Sequence, residues 1–331
     1  MGVRVSRGLL ALWPLACASF GCLERPDVLA WEEVPVELEL FGDLQIQDPS
    51  ITRVSGGYRV FGTGSGIAQR SSPDLREFEE EEPVFAENPS WIEARVPGVT
   101  SLWSPDVSFF EGRYHLYYAA STFGDDRSCI GHATSSDPAT NVWTDRGEII
   151  CSNADGVVDD WNAIDPNVLL DTDGTPWLVF GSYLSGIKLT KLDESGELAD
   201  GELIALATRT GDTQAIQASS LFRHGKYYYL FASFDGCCRG VDSTHKIVVG
   251  RSEKIDGPYE DRDGVALLDG GGSVLLESGD RFRGPGSNSL LVDGGRPHLV
   301  YHAYDTENEG LVTLRISTLV FDEGWPVSAG P

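Results

Sequence analysis

One pattern recurs five times along the chain and governs what it can fold into. A short polar start leads into an alternating apolar run, then a Gly-rich or charged turn, then a second alternating run. It reads DPSITRVSGGYRVFGTGS from Asp48, SPDVSFFEGRYHLYYAAS from Ser104 and DPNVLLDTDGTPWLVFGS from Asp165. It returns as QASSLFRHGKYYYLFASF from Gln217 and SNSLLVDGGRPHLVYHAY from Ser287. The turns SGG, EGR, DTDG, HGK and DGG between alternating runs are hairpin signals. More strand-like sequence follows each hairpin, such as CIGHATS, GIKLTKL, HKIVVGRS and TLRISTLVF. A unit of several strands repeated about every 50–70 residues cannot bury both faces of its own sheet, so such units pack side by side about an axis. The repeats therefore predict an all-β, five-bladed β-propeller over 40–331, undivided by a linker. A β-sandwich is the main competitor, and it needs no repeated unit of this length.

The innermost strand of each blade runs beside the axis. Residues that open those strands converge on one central mouth. Aligned by repeat, give or take a residue, they are Asp48, Asp106, Asp165, Gln217 and Ser287. Three aspartates around one mouth suit paired-carboxylate chemistry or a hard cation bound through oxygen. Taken singly, each reads better as a side chain bonded to nearby backbone. The convergence of the set points to function.

The same residues carry a family likeness. QDPSI, LWSPDVSFFEGRYHLYYAASTFG, CIGHATS, WNAIDPNVLLD, FGSYLSGIKL, FDGCCRGVDSTHKIVVGRS, GPGSNS and LVYHAYD follow one another in order from about Leu40 to Trp325. Together they resemble the endo-1,5-α-L-arabinanases of glycoside hydrolase family 43. The resemblance implies a five-bladed propeller and inverting hydrolysis of α-1,5-linked L-arabinofuranose polymers. It implies Asp48 as the general base and Asp165 as the residue that tunes and orients the acid. The family's acid is the glutamate of an IEAP motif, which here reads IQAS, so Gln217 holds the acid's place. An amide has no proton to give, and general acid help is worth about 10²–10⁴ in rate. Two readings stay open: a hydrolase with weak or lost turnover, or a propeller that binds arabinan or other pentose oligosaccharides without cleaving them. A vestigial cleft on an exported interaction protein is a third.

Other departures cluster nearby. Ser219 stands where the family has proline, Gln47 where it has histidine and Leu184 where tryptophan is frequent. Ser287 occupies the place of a histidine ligand to a central Ca²⁺ or Na⁺, so that cation is in doubt and no cofactor is required; His302 is a weak candidate ligand. Trp103 and Phe123 match positions that stack on sugar faces. Asn162, Asn288 and Asp106 are candidates for substrate contact, although the two asparagines read equally well as loop-holding groups.

Composition agrees with a neutral substrate or a bound cation. The formal net charge of −26 over 331 residues opposes nucleic acid and anionic membranes. The first 22 residues read as an export signal: Arg4 and Arg7, an apolar run too short to span a bilayer, then small residues before Cys22. The SFGC ending hints at lipid attachment to Cys22, with Cys17 a weaker alternative. Residues 23–39 read as an N-terminal extension, and the mature chain as an exported monomer without a transmembrane segment, placed outside the cell, in the periplasm or on the envelope. Export permits disulfides among Cys129, Cys151, Cys237 and Cys238, whose pairing the sequence leaves open. The cysteines lack zinc-site spacing. GTGSG at 62–66 lacks the context of a phosphate loop, and DTDG at 171–174 lacks the closing glutamate of a calcium loop.

Overall fold

The computed structural model describes residues 34–211 and 214–331. From Val34 onward they form one compact unit. Its strands fall into five sheets, one per repeat: four of four strands and a first of five. The innermost strands are Gln47–Val54, Leu102–Phe110, Asn167–Leu170, Ile216–His224 and Phe282–Asp293. Among the described residues the only α-helix is the single turn Trp91–Arg95. This is the five-bladed propeller that the repeats predict. The export signal, Cys17, Cys22 and the first part of the extension lie outside the described residues.

The core follows from the alternation. Each blade is apolar on both faces of its middle strands, and the buried residues gather between blades. Phe61, Ile67, Leu116 and Tyr118 join the first blade to the second, and Tyr117, Ile130, Leu178 and Phe180 join the second to the third. Val179, Leu189, Leu221 and Leu230 join the third to the fourth, and Phe231, Val249, Leu299 and Tyr301 the fourth to the fifth. Val60, Phe78, Val300 and Ile316 close the ring between first and last. A disulfide between Cys129 and Cys151 ties two neighbouring strands of the second blade.

Every blade enters its inner strand through a residue with left-handed backbone: Asp48 (φ 51°), Ser104 (43°), Asp165 (55°), Ala218 (50°) and Ser287 (50°). In four blades the register slips here, between Gln47 and Ser50, Trp103 and Asp106, Gln217 and Ser220, and Gly286 and Ser289. The extra residue makes a β-bulge, which re-aims its neighbours toward the axis. Pro49, Pro105 and Pro166 follow at once, where the ladder asks for no N–H. The equivalent ring is thus Asp48, Ser104, Asp165, Ala218 and Ser287. Matching acidic or amide letters to one another misplaces the second repeat by two residues and the fourth by one: Asp106 lies beyond the bulge, and Gln217 just before it.

The extension does not stop short of the propeller. Thr318 N–H donates to Val36 O and Leu38 N–H to Ile316 O, both at 2.8 Å, so residues 36–38 pair with the last blade. Phe41 N–H then donates to Arg76 O and Asp43 N–H to Phe78 O, again at 2.8 Å, on the outer edge of the first. Residues 36–43 thus pair with the last and first blades. Glu37 fixes this strap: Arg315 donates to its Oε1 through Nε at 2.9 Å and Nη2 at 2.5 Å, and the Tyr301 hydroxyl reaches it at 3.3 Å. Replacing Glu37 by alanine leaves the half-buried Arg315 without that acceptor. Glu37→Ala should lower stability by about 1–3 kcal/mol, read as a fall of a few degrees in the thermal unfolding midpoint.

Candidate active site

The bulges of the first three blades place Asp48, Ser104 and Asp165 on the wall of a cleft of ≈ 400 Å³. Asp48, Asp165 and Gln217 all line it, although they are far apart in sequence. Beneath it, a narrower axial cavity is lined by Asp48, Asp106, Asp165, Ser287 and Asn288.

Asp48 is held from two sides. Its backbone N–H donates to His302 Nδ1 at 3.1 Å, and Thr63 Oγ1 donates to its Oδ2 at 2.5 Å. Thr63 Oγ1 in turn accepts the N–H of Ser104 at 2.9 Å. Asp48 Oδ1 lies 3.5 Å from His302 Nδ1. Asp165 Oδ2 accepts the N–H of Ala218 at 2.9 Å, so it fixes the residue directly after Gln217. Burial pushes its carboxyl up to about 6; the Ser104 hydroxyl and the Ala218 N–H pull the other way, and the charge of Asp48 adds to the rise.

Gln217 is buried beside a group that the sequence does not single out. Its side-chain amide lies 2.5 Å from Nε2 of His245. A neutral imidazole can accept from the amide NH₂ or donate to the amide oxygen. Burial, with the His302 imidazole nearby, depresses His245 to about 3, so it is neutral. A Cβ on Gly286 would sit 2.3 Å from His245 Nδ1. His245 therefore fills, from the fourth blade, the slot just before the bulge that glycine leaves open in the fifth. The other blades carry Gln47, Trp103, Ile164 and Gln217 there. That gap in GPGSNS is the signal that could have found His245.

Two residues past each bulge, a polar side chain reaches the next blade. Val107 N–H donates to Ser50 Oγ at 3.2 Å, Val168 N–H to Asp106 Oδ2 at 3.0 Å and Leu221 N–H to Asn167 Oδ1 at 2.9 Å. Asn288 Nδ2 donates to Ser220 Oγ at 2.8 Å, and Ser289 Oγ to Pro49 O at 2.8 Å. Asp106 also accepts from Asn167 Nδ2 at 2.8 Å and from Ser108 Oγ at 3.2 Å. Burial raises it to about 6. Asp106 and Asn288 thus belong to a blade-to-blade belt below the cleft and do not line it. Asn162 spends its amide on two serines, accepting from Ser152 Oγ at 3.4 Å and donating to Ser182 Oγ at 3.1 Å, and holds loops.

The residues do not fit a directly ligated cation. His302 Nδ1 already accepts the Asp48 N–H, as Thr63 and Ser233 hydroxyls accept those of Ser104 and Ser287. Its Nε2 then carries the proton and offers no lone pair. Ser287 supplies only a hydroxyl. Among the described residues no cluster of three His, Cys, Asp or Glu side chains is arranged around a metal position.

The cleft walls are apolar. Trp103 and Phe123 pair with ring centroids 5.0 Å apart, and Phe123 is 81% exposed. Cys237 and Cys238, joined to each other, and Tyr304 also line the cleft. Neither Thr63, Tyr304 nor the paired cysteines are legible as cleft residues from spacing alone.

The description "Glycosyl hydrolases family 43" matches residues 41–326. The chain belongs to glycosyl hydrolase family 43. It is 40% identical over 286 residues to an extracellular endo-α-(1→5)-L-arabinanase of Bacillus subtilis, covering 85% of this chain and 87% of that one. It superposes on a family 43 endo-arabinanase from Bacillus licheniformis with a TM-score of 0.83 at 41% identity, over 88% of this chain and 99% of the other. An α-L-arabinanase of Cellvibrio cellulosa, solved with arabinohexaose, gives 0.82 at 36% identity over 87% and 96%.

Asp165 offers a pH test of its surroundings. Its folded-state value, about 6, lies above the ordinary 3.8. The folded chain therefore holds a proton that the unfolded chain has lost, and the stability this confers at low pH disappears as pH rises through that window. Asp165→Asn keeps an acceptor for Ala218 N–H and does not titrate. The variant should gain stability relative to the parent between about pH 4 and pH 7, measured by urea unfolding.

Proposed function

We propose that the cleft binds arabinan-type chains of α-1,5-linked L-arabinofuranose and keeps the water-activating half of an inverting glycosidase. Asp48 is the general base, Asp165 orients the neighbouring blade through Ala218, and Gln217 stands where the acid belongs. The observation that carries this is the meeting of those three side chains in one aromatic-walled cleft. Inversion needs one carboxyl to activate water and another to protonate the leaving oxygen on the opposite face. Here the second is a carboxamide set against a neutral imidazole, so cleavage of the polymer is slow. The same observation favours the second reading, a propeller that binds arabino-oligosaccharides without turnover. We also infer export by the N-terminal segment to the cell exterior or envelope, and action as a monomer; relatives named extracellular support the first.

Restoring the acid separates the readings. Gln217→Glu should raise product release from linear arabinan by about 10²–10⁴-fold, and adding Asp48→Asn should remove it. No gain means that the remaining departures also disable the site. Trp103→Ala should weaken arabino-oligosaccharide binding about tenfold, ~1.4 kcal/mol, by calorimetry; unchanged affinity removes Trp103 from the binding surface.

A further inference from the structure

The cleft lacks a carboxyl at the general acid's position, where Gln217 stands, and this sets what it can cleave. Two carboxyls line it, Asp48 and Asp165. Asp48 is the base, and Asp165 has one oxygen engaged beneath the cleft by Ala218 N–H. His245 lies behind Gln217, 1% exposed and neutral. The Tyr304 phenol is raised above its ordinary value by burial and by the Asp48 charge, which makes it a poorer acid. The half that activates water is nonetheless built, with Asp48 fixed by Thr63 and His302. General acid help matters in proportion to how badly the leaving group needs a proton. A sugar alkoxide needs one; a phenolate or enolate does not.

We propose that this cleft hydrolyses α-L-arabinofuranosides whose aglycone is an acidic hydroxyl, a phenol or enol, in preference to sugar–sugar bonds. The inference rests on the placement of Asp48 and Gln217 given above. In the step, Asp48 takes a proton from water as the water oxygen bonds to the anomeric carbon. The bond from that carbon to the aglycone oxygen breaks, its electron pair leaves with the phenolate, and Asp48 later returns its proton to solvent. The Gln217 amide donates a hydrogen bond to the departing oxygen without giving up a proton. Trp103 and Phe123, 5.0 Å apart, and the Cys237–Cys238 pair line the cleft and offer apolar surface to an aromatic aglycone.

The test uses the intact chain and a series of dinitrophenyl, nitrophenyl, phenyl and methyl α-L-arabinofuranosides, with arabino-oligosaccharide binding followed in parallel. Expected is a fall in kcat/KM of at least about 10²–10⁴-fold from nitrophenyl to methyl, complete loss of nitrophenyl turnover in Asp48→Asn, and a flatter series in Gln217→Glu. A flat series in the parent overturns the proposal, as does methyl or arabinan turnover at the nitrophenyl rate. Nitrophenyl release that survives Asp48→Asn overturns it too. Oligosaccharide binding with no aryl glycoside cleaved sinks this proposal and leaves the arabinan-site reading standing; absence of both binding and turnover sinks the two together.

Discussion

Each blade carries a residue in the left-handed region, and in four of the five a hydrogen bond to the neighbouring blade holds it there. A non-glycine residue so placed costs about 1–3 kcal/mol and persists only where its surroundings fix it. Here the fixing is largely circular. The N–H groups of Asp48, Ser104, Ala218 and Ser287 each donate to a side chain of the preceding blade: His302, Thr63, Asp165 and Ser233. Just below, Ser50, Asp106 and Asn167 accept from the following blade. Aspartate tolerates left-handed backbone better than most residues. Two of the five positions use it and gain a carboxylate at the axis.

Structure and chemistry are thus joined in single residues. Asp165 is a blade-to-blade acceptor and a wall of the cleft, and its raised affinity for protons comes from the burial that the first task demands. Asp48 owes its orientation to Thr63 and His302, which are ring-closing groups in their own right. His302 serves the scaffold as the Ser233 hydroxyl does one blade earlier.

Much of this was legible in the sequence. Alternation and hairpin turns gave five blades, because a period of two and Gly-rich turns are local properties. Asp48, Asp165 and Gln217 could be brought together by the repeat alone. What could not be read was the offset within it: Asp106 shares a letter with Asp48 but lies two residues past the bulge, and no letter marks a left-handed φ when Ser104 and Ala218 adopt it too. His245 was hidden because it enters from another strand into space opened by Gly286. Asn162 and Asn288 look alike in sequence to sugar-binding amides; only burial shows that their partners are serines of the fold.

The strap from Val34 to Asp43 has a mechanical side. Among the described residues the four strands of the last blade all come from the C-terminal part of the chain, and the N-terminal side joins it through the antiparallel bridge between Glu37 and Ser317. Main-chain bonds from residues 36–38 to the fifth blade and from 41–43 to the first, with Glu37 clamped by Arg315, stitch the seam. Any pull on the chain upstream of Val34 is delivered to those stitches. A molecule tethered by its leading end would bear load at this joint first, and peeling the strap away would leave the first and last blades held by the packing of Val60, Phe78, Val300 and Ile316 and by the bonds from Asp48 to His302 and from Ser289 to Pro49.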